Sequence, residues 1–188
     1  DPSEVNYQIK LFGEEFNELN KNNCTLKING EEIEFTKEYI FSEKGEKRIE
    51  VKMKKDHFIT SMYSFMFECT QLSSIDLSKF CLSNVVDMSF AFDNCHNLNE
   101  INLKGVNTSN VTNFSHAFNH CKQLSEINLE DFDVKRGIFM EYMFCGCAKL
   151  KTLNLKKFKT PNLEYMDGMF KFCQRISTIF LIQSKTAS

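Results

Sequence analysis

From residue 62 onward, the apolar positions of the chain return at a fixed interval of 26. Cysteine marks the register at Cys69, Cys95, Cys121, Cys147 and Cys173. Three positions later stand Leu72, Leu98, Leu124, Leu150 and Ile176, and six later Ile75, Ile101, Ile127, Leu153 and Ile179. Eight later come Leu77, Leu103, Leu129, Leu155 and Leu181. Before each cysteine, a Phe/Met column (Met66, Phe92, Phe118, Phe144, Phe170) and a second one (Met62, Met88, Phe114, Met140, Met166) keep step. A further column, Phe80, Val106, Phe132 and Phe158, lapses at Ser184. A unit this short cannot bury its own apolar face, whereas stacked copies bury one another's. Each copy offers about seven apolar side chains, each worth roughly 1.5–3 kcal/mol when fully buried.

Within a copy, "LSSIDLS" and "LSEINLE" alternate as short strands do, with Ile and Leu inward and polar residues outward. The M-x3-F spacing in "NFSHAF" and "YMDGMF" is helical. Strand plus helical turn is the plan of leucine-rich repeats. The pattern therefore predicts an α/β repeat: a leucine-rich-repeat solenoid of five 26-residue rungs over 57–183, followed by a polar tail at 184–188. None of the columns extends back before it. There "YQIKLFG", "CTLKING", "EEIEFTKEYIF" and "KRIEVKMKK" alternate as strands, and "EEFNELNKNN" suggests a helix. Asn29-Gly30 signals a hairpin, and "SEKGEK" around Gly45 a second turn. A stack exposes apolar edges at its ends, so residues 1–56 read as a small β-rich N-terminal cap.

"LSSIDLSKFCLSNVVDMSFAFDNC" and "LNEINLKGVNTSNVTNFSHAFNHC" resemble the BspA-type leucine-rich repeat, whose motif runs close to L-x-x-L-D-L-S-x-F-x-T-S-N-V-T-x-M-x-x-M-F-x-x-C. The resemblance covers roughly residues 57 to 183. It implies a curved solenoid without a catalytic site, of a kind found on the surfaces of bacteria and parasitic protists as adhesins or antigens. The fourth copy, "FDVKRGIFMEYMF", departs from the motif and has Gly137 where the others have valine or leucine, so a local bend or an altered rung is expected there.

Charge changes this picture little. Twenty-three basic residues against 25 acidic give no global field for nucleic acid or an anionic membrane. No run approaches the roughly 18 apolar residues of a membrane span. The chain begins at Asp1, so removal of a signal peptide is left open. Eight cysteines would suit a disulfide framework if scattered, but five lie in one ladder among apolar columns, where free thiols behave as small hydrophobes. The triplets at Asn23, Asn107, Asn110 and Asn113 are glycosylation signals, yet three crowd one turn. These features favour a reducing, cytoplasmic setting or an intracellular assembly, with the cell surface as the alternative that the resemblance suggests.

Candidate chemistry is sparse. His116, His120 and Cys121 could hold zinc or form a Cys/His pair, but Cys121 sits in a core column while the histidines occupy slots that vary between copies and so read as solvent-facing. The expectation is therefore no enzyme, no metal and no cofactor. Lys149, Lys151, Lys156, Lys157 and Lys159 lack interleaved aromatics, so no nucleic acid is expected either. The outward strand positions are the candidate surface for a protein partner. They comprise Asp76, Asn102, Asn128 and Asn154, flanked by Ser74, Glu100, Glu126, Lys104, Glu130 and Lys156. Asn and Asp are unfavourable in strands, and a polar ladder along the sheet is the competing explanation. Phe180 and Ile182 break the polar pattern in the last copy, which points to assembly through the C-terminal rung. The expected function is a non-catalytic interaction or scaffold module, with no membrane insertion. The alternative is a surface adhesin or antigen that binds host or matrix proteins.

Overall fold

The computed structural model describes residues 6–55 and 57–180. The strands expected near the N-terminus are present: β1 (Tyr7–Lys10), β2 (Cys24–Ile28), β3 (Glu31–Ile33), β4 (Glu38–Phe41) and β5 (Ile49–Met53). Asn29 and Gly30 both adopt positive φ, 52° and 89°, and turn β2 back into β3. β5 pairs on the other side of β2, giving the antiparallel order β3-β2-β5. β1 and β4 form a separate antiparallel pair, so the Gly45 turn links two sheets and closes no hairpin. The expected helix at "EEFNELNKNN" is a run of turns. Its asparagines compete for the backbone: Asn20 N–H donates to Asn23 Oδ1, Asn22 N–H to Asn20 Oδ1, and Asn23 Nδ2 to the Glu18 carbonyl.

In the repeats, β6 (Ser74–Asp76) pairs in parallel with β7 (Glu100–Asn102), and β8 (Thr152–Asn154) with β9 (Thr178–Phe180). Ile75 faces Ile101 and Leu153 faces Ile179, which preserves the 26-residue offset. A second line of parallel bridges runs Ser61–Asp87–Asn113–Phe139–Tyr165.

The leucine-rich-repeat solenoid of strand plus helical turn does not hold. No helix occurs among the described residues, and the strands lie in four separate small sheets. The physical reason recurs in every copy. Ser64 and Glu68, Phe90 and Asn94, His116 and His120, Tyr142 and Gly146, Gly168 and Phe172 all have φ between 54° and 70°. A left-handed residue other than glycine costs about 1–2 kcal/mol and cannot continue a right-handed helix. The M-x3-F segment is instead a chain of tight turns. Phe65 N–H reaches the Met62 carbonyl (3.0 Å), Phe67 reaches Ser64 (3.3 Å) and Cys69 reaches Met66 (3.0 Å). The alternate N–H groups turn outward to the next copy: Met62 to Asp87 O (2.7 Å), Ser64 to Ser89 O (3.2 Å), Met66 to Ala91 O (2.7 Å) and Glu68 to Asp93 O (2.9 Å). Four such bonds, each worth about 0.5–1.5 kcal/mol net, offset the two strained residues. Pairing continues past Gly137 through Asn113–Phe139 and Phe139–Tyr165, so the fourth copy stays in register.

One apolar cluster runs from Leu11 through the repeats to Met169. Phe92, Phe118 and Phe144 stack with centroids 5.5 Å apart and planes within 6°. The N-terminal segment seals the first copy: Phe12 and Phe16 lie 5.9 and 5.0 Å from the Phe65 ring, and Gly13 N–H donates to the Phe65 carbonyl (3.0 Å). A Cβ at Gly13 would stand 1.9 Å from the Ser64 carbonyl oxygen, so only glycine fits this seam.

Candidate functional site

The polar column of the strand face is occupied with its own backbone. The Oδ1 of Asp76, Asn102, Asn128 and Asn154 accepts the N–H two residues on, from Ser78 (2.8 Å), Lys104 (3.1 Å), Glu130 (2.9 Å) and Lys156 (3.2 Å). These are Asx turns; they end β6, β7 and β8 and recur at Asn128, where the expected strand of "LSEINLE" is reduced to a single bridge at Glu126, and they give a structural reason for the residue type. Hydrogen bonds from Ser78, side chain and backbone, hold the Asp76 carboxyl below its ordinary range. The flanking residues Ser74, Glu100, Lys104, Glu126, Glu130 and Lys156 are all exposed; of these, Lys104, Glu130 and Lys156 lend their N–H groups to the turns, and their side chains do not take part. Phe180 is 41% exposed, with the Lys156 ammonium 4.9 Å above its ring. Ile182, Leu181 and the 184–188 tail lie outside the described residues.

The last described copy exposes what earlier copies bury. Met140, Phe144, Cys147 and Leu150 are at most 1% exposed, whereas Met166 is 53% exposed and Phe170, Cys173 and Ile176 are half-buried. Phe172 is 63% exposed. The N–H groups of Met166, Gly168, Phe170 and Phe172 occupy the positions that donate to the following copy elsewhere, and have no acceptor among the described residues.

The cysteine column carries a feature that the sequence does not announce. Each thiol donates to a carbonyl of the preceding copy: Cys95 to Met66 (3.0 Å), Cys121 to Phe92 (3.2 Å), Cys147 to Phe118 (3.1 Å) and Cys173 to Phe144 (3.0 Å). All eight cysteines are free. Burial pushes the Cys69 thiol up to about 12 and raises Cys95, Cys121 and Cys147 further still. Thiols so strongly protonated are poor nucleophiles and poor metal ligands. Only Cys81 is exposed, and hydrogen bonding from Ser83 lowers its pKa.

The reading of His116 and His120 as solvent slots needs correction. Both are half-buried, in left-handed turns. The His116 ring stacks between Phe90 (4.5 Å, 9°) and Tyr142 (5.0 Å, 26°), with its Nδ1 buried and unpartnered. Burial lowers its pKa. His120 lies over Gly146, where a Cβ would meet its Nδ1 at 2.4 Å. Among the described residues no three His, Cys, Asp or Glu side chains converge on a metal position. One signal for the ring ladder was readable: three consecutive aromatic residues at 90, 116 and 142 in a column otherwise held by Ser64 and Gly168. A buried polar pair also escaped notice: Asn119 Nδ2 donates to Asp93 Oδ1 (3.0 Å), and burial pushes the Asp93 carboxyl up to about 6.

These features define a protein of 26-residue turn-and-strand repeats, joined by turn-to-turn backbone bonds and a ladder of thiol donors. Residues 60–181 match the family described as "Mycoplasma protein of unknown function, DUF285", and the chain belongs to that family. No curated protein and no solved structure matches the chain.

Proposed function

We propose that this chain is a non-catalytic protein–protein interaction module that engages a polypeptide partner through its C-terminal edge. The observation that carries this reading is the row of four N–H groups at Met166, Gly168, Phe170 and Phe172, set beside exposed Met166 and Phe172. A row of donors with no acceptor among the described residues, next to apolar side chains, is a template for an added strand. The row offers donors only, so two copies meeting by this edge would set N–H against N–H. A partner segment with free carbonyls and apolar side chains at matching spacing fits it. On the strand face, Lys156 sits over the Phe180 ring and sets a positive charge beside this edge, which would favour a partner with an acidic residue there.

The reading is tested by capture from native extract with the unaltered chain and with a Met166→Asp/Phe172→Asp double variant. Both positions are exposed, so the variant should fold normally. Proteins retained by the unaltered chain and lost by the variant are the expected result. An identical set from both would refute the edge as the binding surface.

A further inference from the structure

We propose that the cleft at the seam between the N-terminal segment and the first two repeats receives a guanidinium group, the side chain of an arginine on a partner protein. This goes beyond the edge-binding reading and is independent of it, because the cleft lies at the other end of the repeats.

The cleft has a volume of about 210 Å³, which admits a side-chain head group with room to spare. It exists because a ring is missing. Phe90, His116 and Tyr142 hold equivalent left-handed positions and stack at 4.5 and 5.0 Å. The preceding member of that column is Ser64, which ends the ladder one step short. His116 covers one face of Phe90, while the rings of Tyr63 and Phe67 stand nearly perpendicular to Phe90, at 79° and 74° with centroids 6.0 and 6.4 Å away. The result is an aromatic recess open at the step that Ser64 leaves empty.

The rim is acidic. Glu14, Glu15 and Glu68 border the recess against one ammonium, Lys10, which lies 3.5 Å from both Glu14 and Glu68. Three carboxylates outnumber the lining Lys10 ammonium and the Lys37 ammonium behind Glu14, which leaves a net negative site. Glu15 stands at the Tyr63 hydroxyl and pushes its ionisation upward. Lys37 fixes this wall by donating to the Glu14 carbonyl and, at 2.9 Å, to Asn17 Oδ1.

A cation is attracted to the aromatic faces, and a planar one can occupy a ring's place in a stack. Guanidinium satisfies both conditions and offers paired N–H donors to a carboxylate. A lysine ammonium is compact and strongly hydrated, and gains less from a stacking site. A neutral ring would fill the step but leave the carboxylates unanswered.

The test titrates the full chain, with ¹³C-labelled Phe and Tyr, with N-acetyl-arginine methylamide and in parallel with N-acetyl-lysine methylamide. The expected result is saturable shifts at Phe90, Tyr63 and Phe67 with the arginine probe, several-fold tighter than with the lysine probe. Ser64→Phe completes the ladder from within and should abolish binding. It should also fold, since the same backbone position carries Phe90, His116 and Tyr142 in the next three repeats. Glu15→Gln, at an exposed position, should weaken binding several-fold and carries the test should Ser64→Phe not fold. Absence of saturable shifts, equal response to both probes, or undiminished binding in folded Ser64→Phe would each overturn the proposal.

Discussion

Gly13→Ala should break the seam that holds the N-terminal segment on the first repeat. The new Cβ would stand 1.9 Å from the Ser64 carbonyl oxygen and 3.1 Å from Phe67 Cβ. Backbone on both sides must then separate by about 1 Å, since real Cβ atoms essentially never approach within 3.0 Å. That shift sacrifices the Gly13–Phe65 hydrogen bond, worth about 0.5–1.5 kcal/mol net. It also opens a gap between Phe65 and the buried Phe12 and Phe16 rings. A gap of that size forfeits a quarter to a half of the contact energy, on two side chains each worth roughly 1.5–3 kcal/mol. The sum is a destabilisation of about 1–4.5 kcal/mol. Gly137→Ala is the control: its Cβ would meet Met140 Cε at 2.7 Å, the far end of a flexible side chain, and the Val134 carbonyl oxygen at a tolerable 3.1 Å, for a cost of about 1 kcal/mol. Urea unfolding, followed by far-UV circular dichroism, measures both. Equal costs for the two variants, or a Gly13→Ala cost below about 0.5 kcal/mol, would refute the close-approach argument.

Two further outcomes follow from the buried titratable groups. Asp93 is raised by burial to about 6 from an ordinary 3.8, so between those values the folded protein binds more protons than the unfolded chain. Its contribution is fully present below 3.8 and is lost as pH rises through 6. The stability difference between Asp93→Asn and the unaltered chain should therefore shift in favour of the variant by about 1–2 kcal/mol from pH 4 to pH 7, and a pH-independent difference would contradict it. In thiol-reagent kinetics on the native protein, Cys81 should react first, and Cys95, Cys121 and Cys147 only at the rate of unfolding. Fast labelling of Cys121 would show that the ladder opens locally.

Much of this architecture can be read in the sequence, and where reading failed the cause is specific. Strands β1 to β5 follow from local alternation, and the Asn29-Gly30 hairpin from two residues that tolerate positive φ. The helical reading of M-x3-F failed because i, i+4 spacing fits both a helix and a chain of turns. The left-handed positions that decide between them hold Ser, Glu, Phe and Tyr as well as Asn, His and Gly. Only the last three favour that region, so no consistent local signal marks the column. The strand-face asparagines looked like binding residues because they are unusual in strands. Their partners, N–H groups two residues on, are local, and the Asx turn was within reach of the pattern.

The 26-residue interval and its apolar columns are properties of the sequence alone, and they set which residues meet, because identical spacing makes equivalent positions the best-matched neighbours. The backbone path that brings them together is a tertiary result. Left-handed residues are strained in an isolated repeat, and backbone bonds to a neighbouring copy, donated to the next or accepted from the one before, make that conformation favourable. The same holds for the thiols, whose acceptors lie 29 residues away, and for the aromatic recess. That recess depends on a ring absent at Ser64, a wall of acids from the N-terminal segment and a ladder that begins one repeat later, which no single stretch of sequence contains.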